Sequence, residues 1–314
     1  FVHKQHYNFQ ECLLAAKKGN SSEPAIKQFV LGGLSGMTAS VCTHPADLVK
    51  VRMQLSGMSG QGNVPKDGML KTGLNVLSKE GIPAIYKGLS ASLLRQGTYT
   101  TARFGLYLQI KDAIAPDGNL SLFKKLLVSM MAGAGGSLVG SPADVVLVRM
   151  QADGKLPPEK RRNYKHAFDG LYRIAKEEGI PALWKGCLPN LNRAMFMSAG
   201  QLASYDQAKQ LLLQTPVFKD NIVTHFTASL LAAFVATVLT NPLDVIKTRI
   251  MNQSKESSQM YKNSIDCGIK ILRIEGPGGF YKGFLPYFVR LGPQTILTFV
   301  FFEQYARLWD YFGK

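Results

Sequence analysis

The sequence predicts an all-α membrane protein: six transmembrane helices in three repeats of about 100 residues, related by a pseudo-threefold axis, with short amphipathic helices between them. Three observations carry this. A two-part phrase recurs three times, a charge-free apolar run precedes each copy of its first part, and a largely apolar stretch holding one arginine follows each copy of its second.

The first part of the phrase reads Pro45-Ala-Asp47-Leu-Val-Lys50, Pro142-Ala-Asp144-Val-Val-Leu147 and Pro242-Leu-Asp244-Val-Ile-Lys247. The second is Glu80-Gly81…Tyr86-Lys87-Gly88, Glu178-Gly179…Trp184-Lys185-Gly186 and Glu275-Gly276…Tyr281-Lys282-Gly283. The prolines are 97 and 100 residues apart (142−45, 242−142) and the closing glycines 98 and 97 (186−88, 283−186). A period this long and this regular marks three copies of one structural unit. The repeats are drawn at 27–121, 122–218 and 219–314, after a polar leader over 1–26.

Each repeat opens with a run free of Asp, Glu, Lys and Arg, at 28–46, 126–143 and 221–243. Such runs approach the roughly 20 residues that cross a bilayer, and each ends at a repeat proline. The glycines Gly32, Gly33, Gly36, Gly133, Gly135, Gly136 and Gly140 suit close helix packing. Between the two parts of the phrase, Leu70–Lys79, Tyr164–Lys176 and Tyr261–Arg273 space apolar residues among charges, as helices lying on a membrane interface do. The second span of each repeat covers 88–111, 186–209 and 283–307. Two spans in each of three repeats put both termini on one side.

The 37 Lys and Arg against 21 Asp and Glu leave a formal charge of +16. The basic residues lie mainly in the connections, as in Lys160-Arg161-Arg162, which suits an anionic membrane surface and anionic solutes. A soluble, basic helical-repeat protein that binds nucleic acid is the rival from another class. The uncharged spans and the lack of a groove-reading motif argue against it. Cys12, Cys42, Cys187 and Cys267 have no metal or redox spacing and read as free thiols. The five histidines, His3, His6, His44, His166 and His225, form no catalytic or metal pattern, so neither an enzyme nor a cofactor is expected. No secretory signal is seen.

Acid and base three residues apart share a helix face, so three such helices round an axis can exchange ion pairs and close one mouth of a barrel. Pairs near water are individually weak, as a gate requires. Seven residues after each closing glycine stands an arginine: Arg95, Arg193 and Arg290. At ~1.5 Å per residue each lies about 10 Å into its helix. Their planar donor forks suit carboxylate or phosphate, and three together suit a small, multiply charged anion. Arg103, eight residues above Arg95 and roughly 80° round the helix, flanks that site. A thinner second ring is sketched at the far ends by Tyr107…Lys111, Tyr205-Asp206…Lys209 and Phe302-Glu303.

Together these motifs resemble the mitochondrial carrier family over residues 27–311. The resemblance implies a six-helix barrel in the mitochondrial inner membrane, working as a monomer and opening its central site alternately to the two sides. The proline ends would face the matrix, both termini the intermembrane space and cytosol, and cardiolipin, an anionic lipid, would sit at the repeat junctions. The family's substrate contacts fall here on Arg95, Arg193 with Ala194, and Arg290, with Arg103 and Gln201 alongside. Its matrix gate would pair Asp144 with Lys247 and Asp244 with Lys50, leaving Asp47 opposite Leu147 unpaired. Its cytoplasmic gate falls on Lys111, Tyr205, Asp206, Lys209 and Glu303, with Glu303 and Lys111 its one complete pair.

Within the family the run Gly88-Leu-Ser-Ala-Ser-Leu-Leu-Arg95-Gln-Gly-Thr-Tyr-Thr-Thr-Ala-Arg103 and the run Pro142-Ala-Asp-Val-Val-Leu-Val-Arg149-Met-Gln-Ala-Asp-Gly are similar to those of dicarboxylate carriers. The resemblance thus implies antiport of 2-oxoglutarate for malate or related dicarboxylates. A broader carrier that also takes tricarboxylates remains open. An uncoupling-type proton or fatty-acid transporter is disfavoured, because such proteins usually carry a base where Leu147 stands.

Overall fold

A computed structural model describes residues 25–55, 68–114, 122–156, 159, 161–214, 222–253 and 261–312. The leader expected over 1–26 lies outside them, apart from its last two residues. The described chain is helical: α1 (Ala25–Gln54), α2 (Met69–Glu80), α3 (Leu89–Ile114), α4 (Leu122–Ala152), α5 (Ala167–Glu177), α6 (Cys187–Leu213), α7 (Ile222–Asn252), α8 (Ser264–Glu275) and α9 (Phe284–Phe312). A short 3-10 turn precedes each of α3, α6 and α9.

The long helices α1, α3, α4, α6, α7 and α9 pack in chain order, each against the next, and α9 returns to α1. That circuit closes a barrel. Threefold equivalence extends to the helix starts, since each proline lies 20 residues past the first residue of its helix (45−25, 142−122, 242−222). Two stretches, Leu126–Ala152 and Leu230–Asn252, are apolar enough to cross a bilayer by mean hydropathy, at 1.3 and 1.5. Interior arginines on α3, α6 and α9, and Asp47, Lys50 and Arg52 on α1, add polar residues to the other four helices.

Counting the six long helices in chain order, the odd ones (α1, α4 and α7, with α3, α6 and α9 the even ones) do not stop at their prolines. Each continues nine or ten residues beyond, to Gln54, Ala152 and Asn252. Proline frees the carbonyl four residues back, and the second part of the phrase supplies one remedy. Trp184 Nε1 donates to Leu138 O at 3.1 Å, the carbonyl that Pro142 leaves without its helical partner. The residue before each of two other prolines reaches the same turn. Asn241 Nδ2 donates to Phe280 O at 2.6 Å, and His44 Nε2 lies 3.1 Å from Lys87 O.

Two of the short helices, α5 and α8, start at side-chain caps: His166 Nδ1 accepts from Asp169 N at 3.2 Å, and Asn263 Oδ1 from Asp266 N at 2.8 Å. Their inner faces bury Val76, Ile174, Cys267 and Ile271. Their outer faces expose Leu70, Leu74 and Leu77 on α2, Phe168 and Tyr172 on α5, and Ile265, Ile269 and Leu272 on α8. An apolar stripe left outside a folded helix pair fits a helix lying in the plane of a membrane surface.

The closing glycines hold the repeats together. Gly186 and Gly283 adopt φ of +76° and +83°, where a side chain is strained. A Cβ on Gly283 would lie 3.1 Å from Lys50 O, and one on Gly186 2.9 Å from Met251 Cγ, both on the next repeat.

Candidate functional site

At the proline end the odd helices cross-tie. Lys50 Nζ on α1 lies 2.8 Å from Asp244 on α7, and Lys247 Nζ on α7 lies 2.9 Å from Asp144 on α4. These are two pairings the resemblance implied. The third differs: Asp47 is not unpaired. Arg290 Nη1 on α9 lies 2.5 Å from its carboxylate. Leu147 offers no charge, so the guanidinium from the neighbouring even helix is the cation paired with Asp47 among the described residues.

The other two arginines behave likewise. Arg95 Nε is 3.3 Å from Asp144, and Arg193 Nε is 3.2 Å from Asp244. The Arg193 contact is one of charge, since that N–H is not aligned for a hydrogen bond. The arginine triplet and the carboxylate ring therefore form one mostly buried cluster. It holds five cations (Lys50, Arg95, Arg193, Lys247, Arg290) against three carboxylates (Asp47, Asp144, Asp244), an excess of two positive charges (5−3). A small dianion would neutralise it.

Several side chains support the cluster that sequence reading passed over. Asn190, four residues past Gly186, donates from Nδ2 to Asp144 at 3.0 Å. At the equivalent place Tyr287 puts its ring 3.6 Å from Lys50 Nζ. Tyr99 stands 6.0 Å from the Arg95 guanidinium and 5.9 Å from that of Arg103, and Arg103 Nη1 donates to its hydroxyl at 3.4 Å. Arg103 thus flanks Arg95 through a shared aromatic ring. Ala194 is buried at 3% exposure. Gln201 and Asp206 lie on α6, but their side chains fall outside the described residues.

A second arginine triplet was also missed. Arg52, Arg149 and Arg249 each stand seven residues past a repeat proline (52−45, 149−142, 249−242) and are at most 2% exposed. Each grips the glutamate of its own second phrase with both Nη groups: Arg52 with Glu80, Arg149 with Glu178, Arg249 with Glu275. Each also donates from Nε to a carbonyl in the following repeat, on Gln151 (3.3 Å), Met251 (3.1 Å) and Gln54 (3.2 Å). The signal was present as an in-register base, but its partner lay in the other phrase.

The three glutamates sit at the ends of the short helices, outside the spans. Burial alone would raise their carboxyls. Hydrogen bonds and charge from the paired arginine, with the motif lysine beside it, hold all three below the ordinary glutamate value. Lys185 Nζ and Lys282 Nζ lie 3.1 and 2.6 Å from Glu178 and Glu275.

At the opposite end Lys111, Tyr205, Lys209 and Glu303 lie toward the tips of α3, α6 and α9. Among the described residues Glu303 is joined to Arg307 on its own helix, at 2.7 Å and in the open, rather than to Lys111. Helix spacing explains this, because residues four apart share a face and need no neighbouring helix to close in.

The sequence pattern described as mitochondrial carrier protein matches three times in succession, over residues 21–117, 118–216 and 218–312. The chain belongs to the mitochondrial carrier family. Its members share three such repeats, and the six-helix barrel described above is this carrier's version of that fold. A Dictyostelium discoideum protein named as a probable mitochondrial 2-oxoglutarate/malate carrier is 61% identical over 287 residues, 90% of each chain. The Mus musculus mitochondrial 2-oxoglutarate/malate carrier is 48% identical over 286 residues, covering 90% of this carrier and 91% of its own length. A Caenorhabditis elegans mitochondrial dicarboxylate carrier is 47% identical over 280 residues, 88% and 92% respectively.

Proposed function

We propose that this carrier exchanges 2-oxoglutarate for malate or a related dicarboxylate across the mitochondrial inner membrane. The observation that carries the reading is the excess of two positive charges in the Arg95–Arg193–Arg290 cluster, matched to a cargo of two carboxylates. The relatives named for 2-oxoglutarate, malate and dicarboxylates point the same way. The protein acts as a transporter, not an enzyme.

In this mechanism the proline end faces the matrix and is shut, while cargo enters from the side of the termini. Its carboxylates take arginine donors that otherwise face Asp47, Asp144 and Asp244. The aspartates lose part of their compensation, and the ties between odd helices weaken. Without cargo, opening would strand mostly buried charges, a cost of several kcal/mol for each pair broken. The empty barrel therefore switches slowly and transport is an exchange. Anionic lipid at the repeat junctions, cardiolipin above all, would brace the glycine contacts, and one chain suffices for the cycle.

Replacing Arg95, Arg193 or Arg290 singly with alanine removes charged hydrogen bonds to cargo worth about 1.5–3 kcal/mol. Uptake of labelled 2-oxoglutarate by reconstituted protein should fall by roughly ten- to a hundredfold. An Arg290→Ala variant that exchanges at the wild-type rate would sink the assignment.

A further inference from the structure

The three joints of the proline-end gate are unequal. Asp144 touches Lys247 and Arg95, and Asp244 touches Lys50 and Arg193. Asp47 is paired with Arg290, and among the described residues no other ion pair reaches it. Leu147, at the position of the missing lysine, is packed against an apolar cluster that includes Val51 and Ala91, and its Cδ1 lies 3.4 Å from where a Cβ on Gly88 would stand.

We propose that Arg290 holds two posts in this carrier, cargo contact and the gate cation absent at position 147, so the Asp47 joint is where cargo unlocks the barrel. The inference rests on Arg95, Arg193 and Arg290 being the cargo contacts. A cargo carboxylate that draws Arg95 away leaves Asp144 with Lys247, and one that draws Arg193 away leaves Asp244 with Lys50. When cargo draws Arg290, Asp47 keeps no cation. Its side chain is 14% exposed, so the stranded carboxylate has little water to turn to.

The consequence falls on the seam between α1 and α9. Cargo bound at Arg290 converts directly into loss of the one ion pair found at that seam among the described residues, leaving Lys50 over the Tyr287 ring, and the helices there separate first. The other two joints, each retaining a lysine, yield afterwards. Leu147 sets this order by leaving Asp47 dependent on a residue that cargo can claim.

The test supplies the missing cation. In Leu147→Lys, Asp47 retains a partner when cargo takes Arg290, so the gate stays shut longer. In proteoliposomes exchanging 2-oxoglutarate for malate, kcat should fall roughly tenfold, while KM stays constant or drops because Arg290 is freed for cargo. Leu147→Arg brings the same charge on a longer stem and should behave alike if the lysine variant does not assemble. Adding Asp47→Asn to Leu147→Lys should restore kcat to that seen with Asp47→Asn alone. Wild-type kcat in both Leu147 variants overturns the inference. So does a loss that persists with Asp47→Asn, because the damage would then be to packing against Gly88. Wild-type protein measured in the same vesicles separates the two levels: if it exchanges no dicarboxylate, the cargo assignment falls as well.

Discussion

A buried arginine is tolerable only where its donors are spent, and Arg149 uses all three of its nitrogens in four hydrogen bonds. It is 0% exposed, clasps Glu178 with both Nη atoms, and reaches carbonyls of Met251 and Gln253 at 3.1 Å each. Replacing it with methionine leaves the mostly buried Glu178 carboxylate with Lys185 alone and takes a charged donor from two carbonyls. Unfolding stability in detergent should drop by about 3–5 kcal/mol. Arg149→Lys should recover little, since a single ammonium cannot reach three acceptors in a plane. Thermal unfolding of both variants beside wild type checks this. The triplet Arg95, Arg193 and Arg290 was legible in sequence because all three copies keep the residue at one offset. Arg52, Arg149 and Arg249 kept an equally regular offset, but their glutamates lie 28, 29 and 26 residues away, beyond any local spacing rule. The Asp47–Arg290 pair was hidden for another reason. The gate motif pairs only odd helices with one another, and the even-helix arginine that reaches Asp47 belongs to a different motif.

At the scale of elements, the short helices hang on those same glutamates. Glu80, Glu178 and Glu275 tie α2, α5 and α8 to the ends of the long helices, and each is held below the ordinary glutamate value of 4.5. A carboxyl with a depressed folded pKa contributes its full stability above the unfolded value and loses it as pH falls through the folded one. Thermal stability should therefore hold from neutral pH down to about 4.5 and decline below it. The decline should be shallower in Glu178→Gln, from a lower starting stability. A decline of unchanged steepness in that variant would remove the glutamate ties as its cause. Helix number and order were readable from the apolar runs, and the short amphipathic helices from their spacing. The ends of the odd helices were not. The apolar run stops at the proline, and the charge spacing beyond it implies a helix face without giving its last residue. The helix goes on for another two to three turns because Asp47, Lys50 and their counterparts find partners across the axis.

For the whole molecule, pseudo-threefold symmetry is the architecture, and departures from it carry function. The period of the phrases disclosed the symmetry, and the barrel follows from it. The odd helices are crossed by ion pairs and by the arginine-to-carbonyl ties at the proline end, while Glu303 and Arg307 at the other end stand in solvent. The mouth at the proline end is shut by these ties, and the cationic cluster lies behind it. Which anion the cluster takes was legible only through family likeness, because arginine forks accept any carboxylate or phosphate of suitable size. Charge balance narrows the choice to a dianion, and exchange behaviour decides it. The most direct measurement is uptake of labelled 2-oxoglutarate into liposomes bearing the purified protein, preloaded with malate, with citrate or with neither. Rapid uptake into malate-loaded vesicles, little into citrate-loaded ones and none into empty ones is the predicted result. Equal uptake into empty vesicles, or none under any loading by folded protein, would contradict a dicarboxylate exchanger whose gate opens only with its cargo.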